Sequence, residues 1–471
     1  MPSRVLLISA NSYEVPYAVF PLGLAQVNAA LRDAGHETCW LDRLADTEPV
    51  EDVVARFKPD VIGVSLRNID DVAFKKRDTF YGTLFTLCAR IRQRSSARIV
   101  VGGSGFSIFP ERLLDRSGAD FGIQGEGEAS LVALLSALES GSNYRGIPGL
   151  VYREGGQIQS NPQRPDRLDR PVLTQDRPGR LVDFYLDHSL MLNLQTQRGC
   201  AVECCYCTYP LIEGKRHRRR PPELVADELA EVASRGARYV FIVDSLFNSS
   251  PAHVFETCEA ILRRALRIKW GCFLRPQGLT REQMRIMARA GLSHIEFGSD
   301  SFSDRVLEAY HKRLCFEDIR QSAELAAAEK VDQCHFLILG GPGETEETLE
   351  ETLANSQQLS DVVVLPIVGM RVYPGTPLHR QAIAEGAMAP GAELLDPYHY
   401  FAPGLSPEMI TRRLTEYVEA HPNWIIGEPP ASFHQLVQRL RRRGVVGPLW
   451  TYFAMLQRLP VRPVAPEKVQ T

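Results

Sequence analysis

Apolar residues along this chain fall into two series of short β-type runs separated by amphipathic stretches. In the first series Val5–Ser9, Glu37–Leu41, Asp60–Ser65, Arg98–Gly102 and Phe121–Gln124 read as strands. Leu22–Ala34 repeats its apolar positions at helical spacing and stops at Gly35, a residue suited to the left-handed backbone that ends a helix. Phe80–Arg94 is a second helix of this kind. Strands alternating with helices predict a doubly wound, Rossmann-like parallel sheet, whose ligands bind outside the carboxyl ends of the strands. Those ends are polar or glycine-rich here: Ser65-Leu-Arg-Asn-Ile-Asp-Asp71, Gly102-Gly-Ser-Gly-Phe-Ser107 and Gln124-Gly-Glu-Gly-Glu128. Glycine lets backbone approach a ligand closely, so the three loops predict a ligand floor.

Residues 146–188 read as a connection. It contains a small hairpin, Leu150–Arg153 and Gln157–Gln159 around Gly155-Gly156, and an extended stretch, Pro162–Arg180. A second series follows, with strands at Met191–Thr196, Arg238–Val243, Lys269–Leu274, His294–Gly298, Gln333–Leu339 and Val362–Val368. Helices at Pro222–Ser234, His253–Ala265, Arg281–Ala290, Phe316–Glu329 and Glu346–Leu359 separate them. Six βα units suit a partial (β/α)6 barrel or another parallel sheet, with its site at the carboxyl ends. Beyond Met388 proline and glycine punctuate the chain to Pro407, helices run to about Leu459, and Pro460–Thr471 carries no structural pattern. The expected organisation is 1–145, 146–188, 189–385 and a small, mainly α segment, 386–471.

Length and charge agree with this. A chain of 471 residues needs more than one core, and a net charge of -3 gives no footprint for nucleic acid. No apolar run reaches the roughly 18–20 residues that span a bilayer. The first ten residues read as the start of a strand rather than a leader, so a cytoplasmic location is expected.

Six of the ten cysteines are scattered and four crowd into Cys200-Ala-Val-Glu-Cys-Cys-Tyr-Cys207, just after the first strand of the second series. A disulfide framework would spread its cysteines along a short secreted chain, whereas this cluster reads as metal binding. Cys200, Cys204 and Cys207, spaced C-x3-C-x2-C, can hold three irons of a cubane and leave the fourth open. The alternative is a zinc knuckle with a histidine or Cys205 as fourth ligand. The adjacency of Cys205 to Cys204 makes that tetrahedron awkward, and Cys205 reads better as a packing residue.

The cysteine loop resembles that of the radical S-adenosylmethionine superfamily, and further stretches resemble its other motifs in order. They are Phe241-Ile-Val-Asp-Ser-Leu-Phe-Asn248, Phe297-Gly-Ser-Asp-Ser301, His335-Phe-Leu-Ile-Leu-Gly-Gly-Pro-Gly-Glu-Thr345 and Tyr373-Pro-Gly-Thr-Pro377. The resemblance implies a [4Fe–4S] cluster on the three cysteines. It also implies S-adenosylmethionine contacts at Tyr206, Asp244, Ser245, Ser299, Asp300, Ser301, Leu339 and Gly340, with Asp300 where the family usually has Glu. An external electron donor such as flavodoxin or ferredoxin follows.

The first 145 residues resemble the cobalamin-binding domain that precedes many such barrels. The matching stretches are Phe20-Pro-Leu-Gly-Leu-Ala25, Ala34-Gly-His-Glu37, Gly102-Gly-Ser-Gly-Phe-Ser-Ile-Phe-Pro110 and Gly125-Glu-Gly-Glu128. This resemblance implies cobalamin contacts at Ser65, Arg67, Asn68, Gly102, Gly103, Ser104, Gly105, Phe106, Gln124, Gly125 and Glu126. The D-x-H-x-x-G motif is absent, so no histidine is expected below cobalt. Arg67 is expected near that face; the alternative is an ion pair with Asp70 or Asp71.

Together the two resemblances imply a cobalamin-dependent enzyme that methylates an unactivated carbon or a phosphinate of a small molecule or lipid. Cyclisation or rearrangement without methyl transfer, and a non-catalytic cofactor-binding role, are the alternatives. A methylthiotransferase lacks support, since only Cys39 and Cys88 precede residue 200. No catalytic base is assigned. The basic run Lys215–Arg220 reads as a steering patch or a solvated loop, Arg439–Arg443 as an exposed helix face or a helix end, Tyr398–Phe401 and Trp424 as pocket lining or core, and Glu344 as a turn or N-cap residue, with a catalytic role as the alternative.

Overall fold

The computed structural model describes residues 2–14, 17–164, 177–427 and 431–457. The tail Pro460–Thr471 and most of the stretch Pro162–Arg180 lie outside them. The first sheet contains β1 (Arg4–Ser9), β2 (Glu37–Asp42), β3 (Val61–Ser65), β4 (Arg98–Gly102), β5 (Phe121–Ile123), β6 (Leu150–Glu154) and β7 (Gln157–Ser160). Its order is β2-β1-β3-β4-β5-β6-β7. The strands from β1 to β5 pair in parallel, and β5-β6-β7 pair antiparallel. The hairpin expected within the connection therefore extends the first sheet instead of standing apart. Parallel strands are covered on both faces, which is why Val61, Ile62 and Val64 are all buried apolar residues. The chain order reverses between β1 and β3, which opens a crevice at their carboxyl ends.

The second sheet begins with β8 (Met191–Leu194). A short ribbon follows, formed by β9 (Gln197–Arg198) and β10 (Arg218–Arg219). Then come β11 (Tyr239–Ile242), β12 (Lys269–Leu274), β13 (Leu292–Asp300), β14 (Asp332–Leu339) and β15 (Val362–Val368). The six strands β8, β11, β12, β13, β14 and β15 are all parallel and adjacent in chain order, the arrangement of a partial barrel. Its inner face is partly open at alternate positions, Val243 and Ser245, Phe273 and Arg275, Phe336 and Ile338, as the two-residue period of a strand requires.

Helices at Pro407–Ala420, Ala431–Arg442 and Leu449–Gln457 close the chain. They are tied to the barrel. Trp424 bridges to Val364 at the edge of β15, and Ile425 N–H donates to Val364 O at 2.9 Å. Arg441, expected on an exposed face, is buried and donates to His188 O at 2.7 Å. No described helix is long and apolar enough to cross a membrane.

Candidate functional site: a cavity between two sheets and a loop of three cysteines

A cavity of about 610 Å³ lies between the carboxyl ends of β1, β3 and β4 and the inner face of the barrel. The first sheet contributes Ser65, Arg67, Asn68, Gly102, Gly103, Ser104, Gly125 and Glu126. The barrel side contributes Met191, Asn193, Phe241, Val243, Phe273 and Glu296, and Thr208 and Tyr209 follow directly from Cys207. Another depression, of about 730 Å³ beside Arg32, His36 and Arg56, touches neither the glycine loops nor the cysteines.

Glycine at 103 is a geometric need. Its φ is +98°, and a Cβ there would come within 2.5 Å of Leu66 O. This close approach brings the loop after β4 onto the loop after β3, where Ser104 Oγ donates to Arg67 O at 2.7 Å. Arg67 turns its exposed surface to the cavity and has no ion pair among the described residues. Crowding by the walls lowers its pKa, opposed by Tyr17 and Tyr209. Asp70 is not its partner: it binds Arg371 Nε at 2.9 Å.

Three residues expected at this floor are elsewhere. Phe106 is fully buried with its ring over Gly122, where a Cβ would meet the ring at 2.3 Å. Gly105 is buried against the Asn68 backbone, and Gln124 donates to Ser107 O at 3.3 Å, off the cavity wall. Glu126 does line the cavity, but its carboxylate is held by Arg218 and by Arg198 at 3.3 Å. Arg198 also binds Glu128 at 2.5 Å, which ties the ribbon to the first sheet. The basic run is split: Lys215 and Arg216 are exposed, as a solvated loop would have them, whereas its last three members are engaged. Arg218 binds Glu126, Arg219 donates to Ser250 Oγ at 2.6 Å, and Arg220 binds Glu228 at 2.6 Å.

Cys200 is buried and Cys204 and Cys207 are half-buried, all three as free thiols. Burial pushes the Cys207 thiol up to about 12, reinforced by Cys204 and Cys200 nearby. Among the described residues no three ligating groups converge closely enough for a single metal ion. Cys205 is 1% exposed and packs against Met370 Sδ at 4.0 Å.

The loop is braced from the barrel. Tyr206 Oη donates to Asp300 Oδ2 at 2.5 Å, and Lys312 Nζ sits 2.8 Å from the same oxygen. Burial alone would lower the Lys312 pKa, but Asp300 beside it reverses this and holds it charged. Ser245 Oγ donates to Gly199 O at 2.9 Å.

Four residues expected to meet S-adenosylmethionine are covered completely: Asp244, Ser299, Ser301 and Leu339, each at 0% exposure. Asp244 turns back to accept from Thr196 N–H at 2.7 Å, from Gln197 N–H at 3.1 Å and from the Thr196 hydroxyl. Ser299 Oγ pairs with His335 Nδ1 at 2.8 Å, and Ser301 Oγ with Thr352 Oγ1 at 3.3 Å. Gly340 is buried too, donating its N–H to Glu344. Tyr206 and Ser245 remain partly open. The aromatic candidates Tyr398–Phe401 and Trp424 do not line the cavity; Tyr400 Oη donates to Glu385 at 2.6 Å and Trp424 packs in the C-terminal core.

Glu344 is 2% exposed, and its Oε1 has no hydrogen-bond partner among the described residues. Burial lifts its carboxyl from 4.5 to about 7. The folded chain thus keeps a proton to about pH 7 that the unfolded chain releases near 4.5. The stability this confers is complete below the lower value and lost as pH rises through the upper one. Glu344→Gln is expected to lose less stability than wild type between pH 5 and pH 8, by about 1–3 kcal/mol in urea unfolding. An unchanged pH slope would refute the assignment.

The Radical SAM superfamily matches residues 194–355, and the B12 binding domain matches residues 9–135. The chain is a radical SAM protein with a B12-binding domain. Its cavity lies where those two halves meet. The "Uncharacterized methyltransferase PH0819" of Pyrococcus horikoshii is 26% identical over 377 residues, 78% of this chain and 79% of that one. The tryptophan 2-C-methyltransferase of Streptomyces laurentii is 24% identical over 439 residues, 79% of this chain and 73% of that one. The anaerobic magnesium-protoporphyrin IX monomethyl ester cyclase of Cereibacter sphaeroides is 23% identical over 436 residues, covering 87% and 68%. The fold is shared with the radical S-adenosylmethionine methyltransferase TsrM from Kitasatospora setae, solved with cobalamin and a [4Fe-4S] cluster bound. The TM-score is 0.84 at 23% identity, over 97% of this chain and 98% of that one.

The residues missed from the sequence are Tyr17, Glu296 and Arg198. Glu296 left a trace, as an acidic residue inside the apolar run Ile295-Glu-Phe297.

Proposed function

We propose that this radical SAM protein is a cobalamin-dependent methyltransferase acting on an unactivated carbon, or a phosphinate, of a small molecule. The observation that carries the reading is a single cavity bordered by the glycine loops of the B12-binding half, by the inner face of the barrel and by the end of the cysteine loop. Cys200, Cys204 and Cys207 would hold the [4Fe–4S] cluster. Tyr206 and Ser245 would hold S-adenosylmethionine. Ser65, Arg67, Asn68, Gly102, Gly103, Ser104, Gly125 and Glu126 would border the corrin, with residues 1–145 as the cobalamin unit and 189–385 as the barrel unit. When bound, the cluster with S-adenosylmethionine supplies a hydrogen-abstracting radical and cobalamin supplies a transferable methyl group.

The chain's own residues position and protect. Asp300, clamped by Lys312, fixes Tyr206 beside the cysteines. Phe241, Val243 and Phe273 give the cavity a dry apolar wall. An external donor such as flavodoxin or ferredoxin delivers the electron, and the cytoplasm is the fitting location.

The test is anaerobic reconstitution with iron, sulfide and hydroxocobalamin, followed by metal analysis and product mass spectrometry. Iron and cobalt are expected together, with a product heavier than substrate by about 14 mass units, a methyl in place of hydrogen. The similarity to the cyclase keeps one rival, cyclisation without methyl transfer, which predicts no such gain. Zinc in place of iron would overturn the reading.

Arg67 would face the lower side of cobalt. Arg67→Ala is expected to shift the absorbance spectrum of bound cobalamin; an unchanged spectrum refutes that placement.

A further inference from the structure

On β13 the side chains of Ile295 and Phe297 pack outward into the main core, so His294 and Glu296 point to the inner side. Glu296 is 7% exposed and lines the cavity. Its Oε1 accepts from Trp450 Nε1 at 3.0 Å. Its Oε2 has no hydrogen-bond partner among the described residues. Beside it the wall is apolar: Phe241 and Phe273 meet edge to face at 5.1 Å, flanked by Met191 and Val243. The Oε2 oxygen is not enclosed by protein but opens on the cavity, where a ligand seated against this wall can meet it.

We infer that Glu296 is a substrate-positioning residue, and that the substrate carries a basic amine, seated on Glu296 Oε2, attached to an apolar ring lying against Phe241 and Phe273. This deepens the proposed function and rests on its reading of the cavity as the reaction chamber.

The surrounding titratable groups leave this role open to the ligand. Tyr17, Tyr239 on β11 and Cys334 on β14 lie on the side of Glu296, Cys272 lies behind it on the outer face of β12, and burial raises the pKa of each, so all are neutral near pH 7. The cations Arg67 and Arg441 act on Tyr17. Arg67 faces the cavity from the first sheet, and Arg441 is taken by His188 O. Burial lifts the Glu296 carboxyl to about 7, against the Trp450 hydrogen bond. An amine bound there draws it back to the ionised form.

The experiment compares 2-phenylethylamine with its neutral counterpart 2-phenylethanol by isothermal titration calorimetry, on the reconstituted holoenzyme. Wild type is expected to bind the amine at least about tenfold more tightly at pH 8, the strength of one charge-assisted hydrogen bond. The preference should fade toward pH 6 as the carboxyl takes up its proton. Glu296→Gln is expected to bind both probes alike at either pH. Should that variant fold poorly, Trp450→Phe removes the one donor to the carboxylate among the described residues and is expected to move the pH midpoint of the preference upward. Equal binding of the two probes by wild type, binding of neither, a preference that survives Glu296→Gln, or an unmoved midpoint in Trp450→Phe overturns the inference. Iron and cobalt are measured on the same samples. A loaded wild type without amine preference sinks this inference alone, whereas amine preference in a protein that takes up neither metal sinks the proposed chemistry alone.

Discussion

Cys204→Ala is expected to yield a folded protein that has lost most of its iron and cleaves S-adenosylmethionine only at background. Cys204 is half-buried on a loop, its thiol makes no hydrogen bond among the described residues, and its removal leaves no large void. The fold therefore has little to lose there, while a cluster held by three thiolates loses one of three anchors. The neighbouring residue supplies the control. Cys205 is 1% exposed inside a hydrophobic cluster and touches Met370. Cys205→Ala is expected to lower stability and keep the iron. Iron and sulfide per chain, visible absorbance and 5′-deoxyadenosine production separate the two variants. Wild-type iron and cleavage in Cys204→Ala would remove the cluster from this loop.

The packing role of Cys205 was legible in the sequence, and the spacing of Cys200, Cys204 and Cys207 is the ground on which a ligand loop is proposed. The parallel strands were legible too: both of their faces are covered, so they read as unbroken apolar runs ended by glycine or polar residues. What the motif alone did not give is the face of the strand on which its serines fall. Ser299 continues the outward alternation of Ile295 and Phe297 on β13 and meets His335, and Ser301, beyond the strand end, meets Thr352. The irregularity of β13 between Phe297 and Asp300 concerns Asp300, which takes φ +65° and turns to Tyr206 and Lys312. Asp244 was misread for a different reason. Its motif placed it at the mouth of the barrel, but the backbone N–H groups of Thr196 and Gln197 compete for its carboxylate and win. The cavity wall is a long-range product, since Glu296 and Trp450 meet across 154 positions of chain.

Long-range pairing also governs the largest stability effect expected, that of Glu228→Gln. Arg220 was visible as part of a basic run, yet nothing in the run announced that its partner sits in the following helix. Glu228 is 1% exposed and bridges two buried guanidinium groups, Arg177 at 2.5 Å and Arg220 at 2.6 Å. Arg177 also donates to Asn193 O at 3.4 Å and Arg220 to Gln195 O, so the triad fastens the chain on both sides of β8 to the helix Pro222–Ser234. One carboxylate already serves two cations, and burial lowers the Arg177 pKa despite it. Neutralising Glu228 leaves both guanidinium groups without a counter-charge in a dry core, a loss of about 3–5 kcal/mol by the usual cost of breaking a buried pair. Replacing all three residues with apolar ones of matched volume would cost far less, because the penalty comes from charges left behind rather than from attraction lost. The effect should reach the site, since Asn193 and Gln195 border the cavity and Cys200 follows six residues after Leu194. Urea unfolding of the metal-free proteins measures the stability term, and iron retained after dilution measures its reach. A Glu228→Gln protein as stable as wild type would show that water or a shifted helix relieves the two cations.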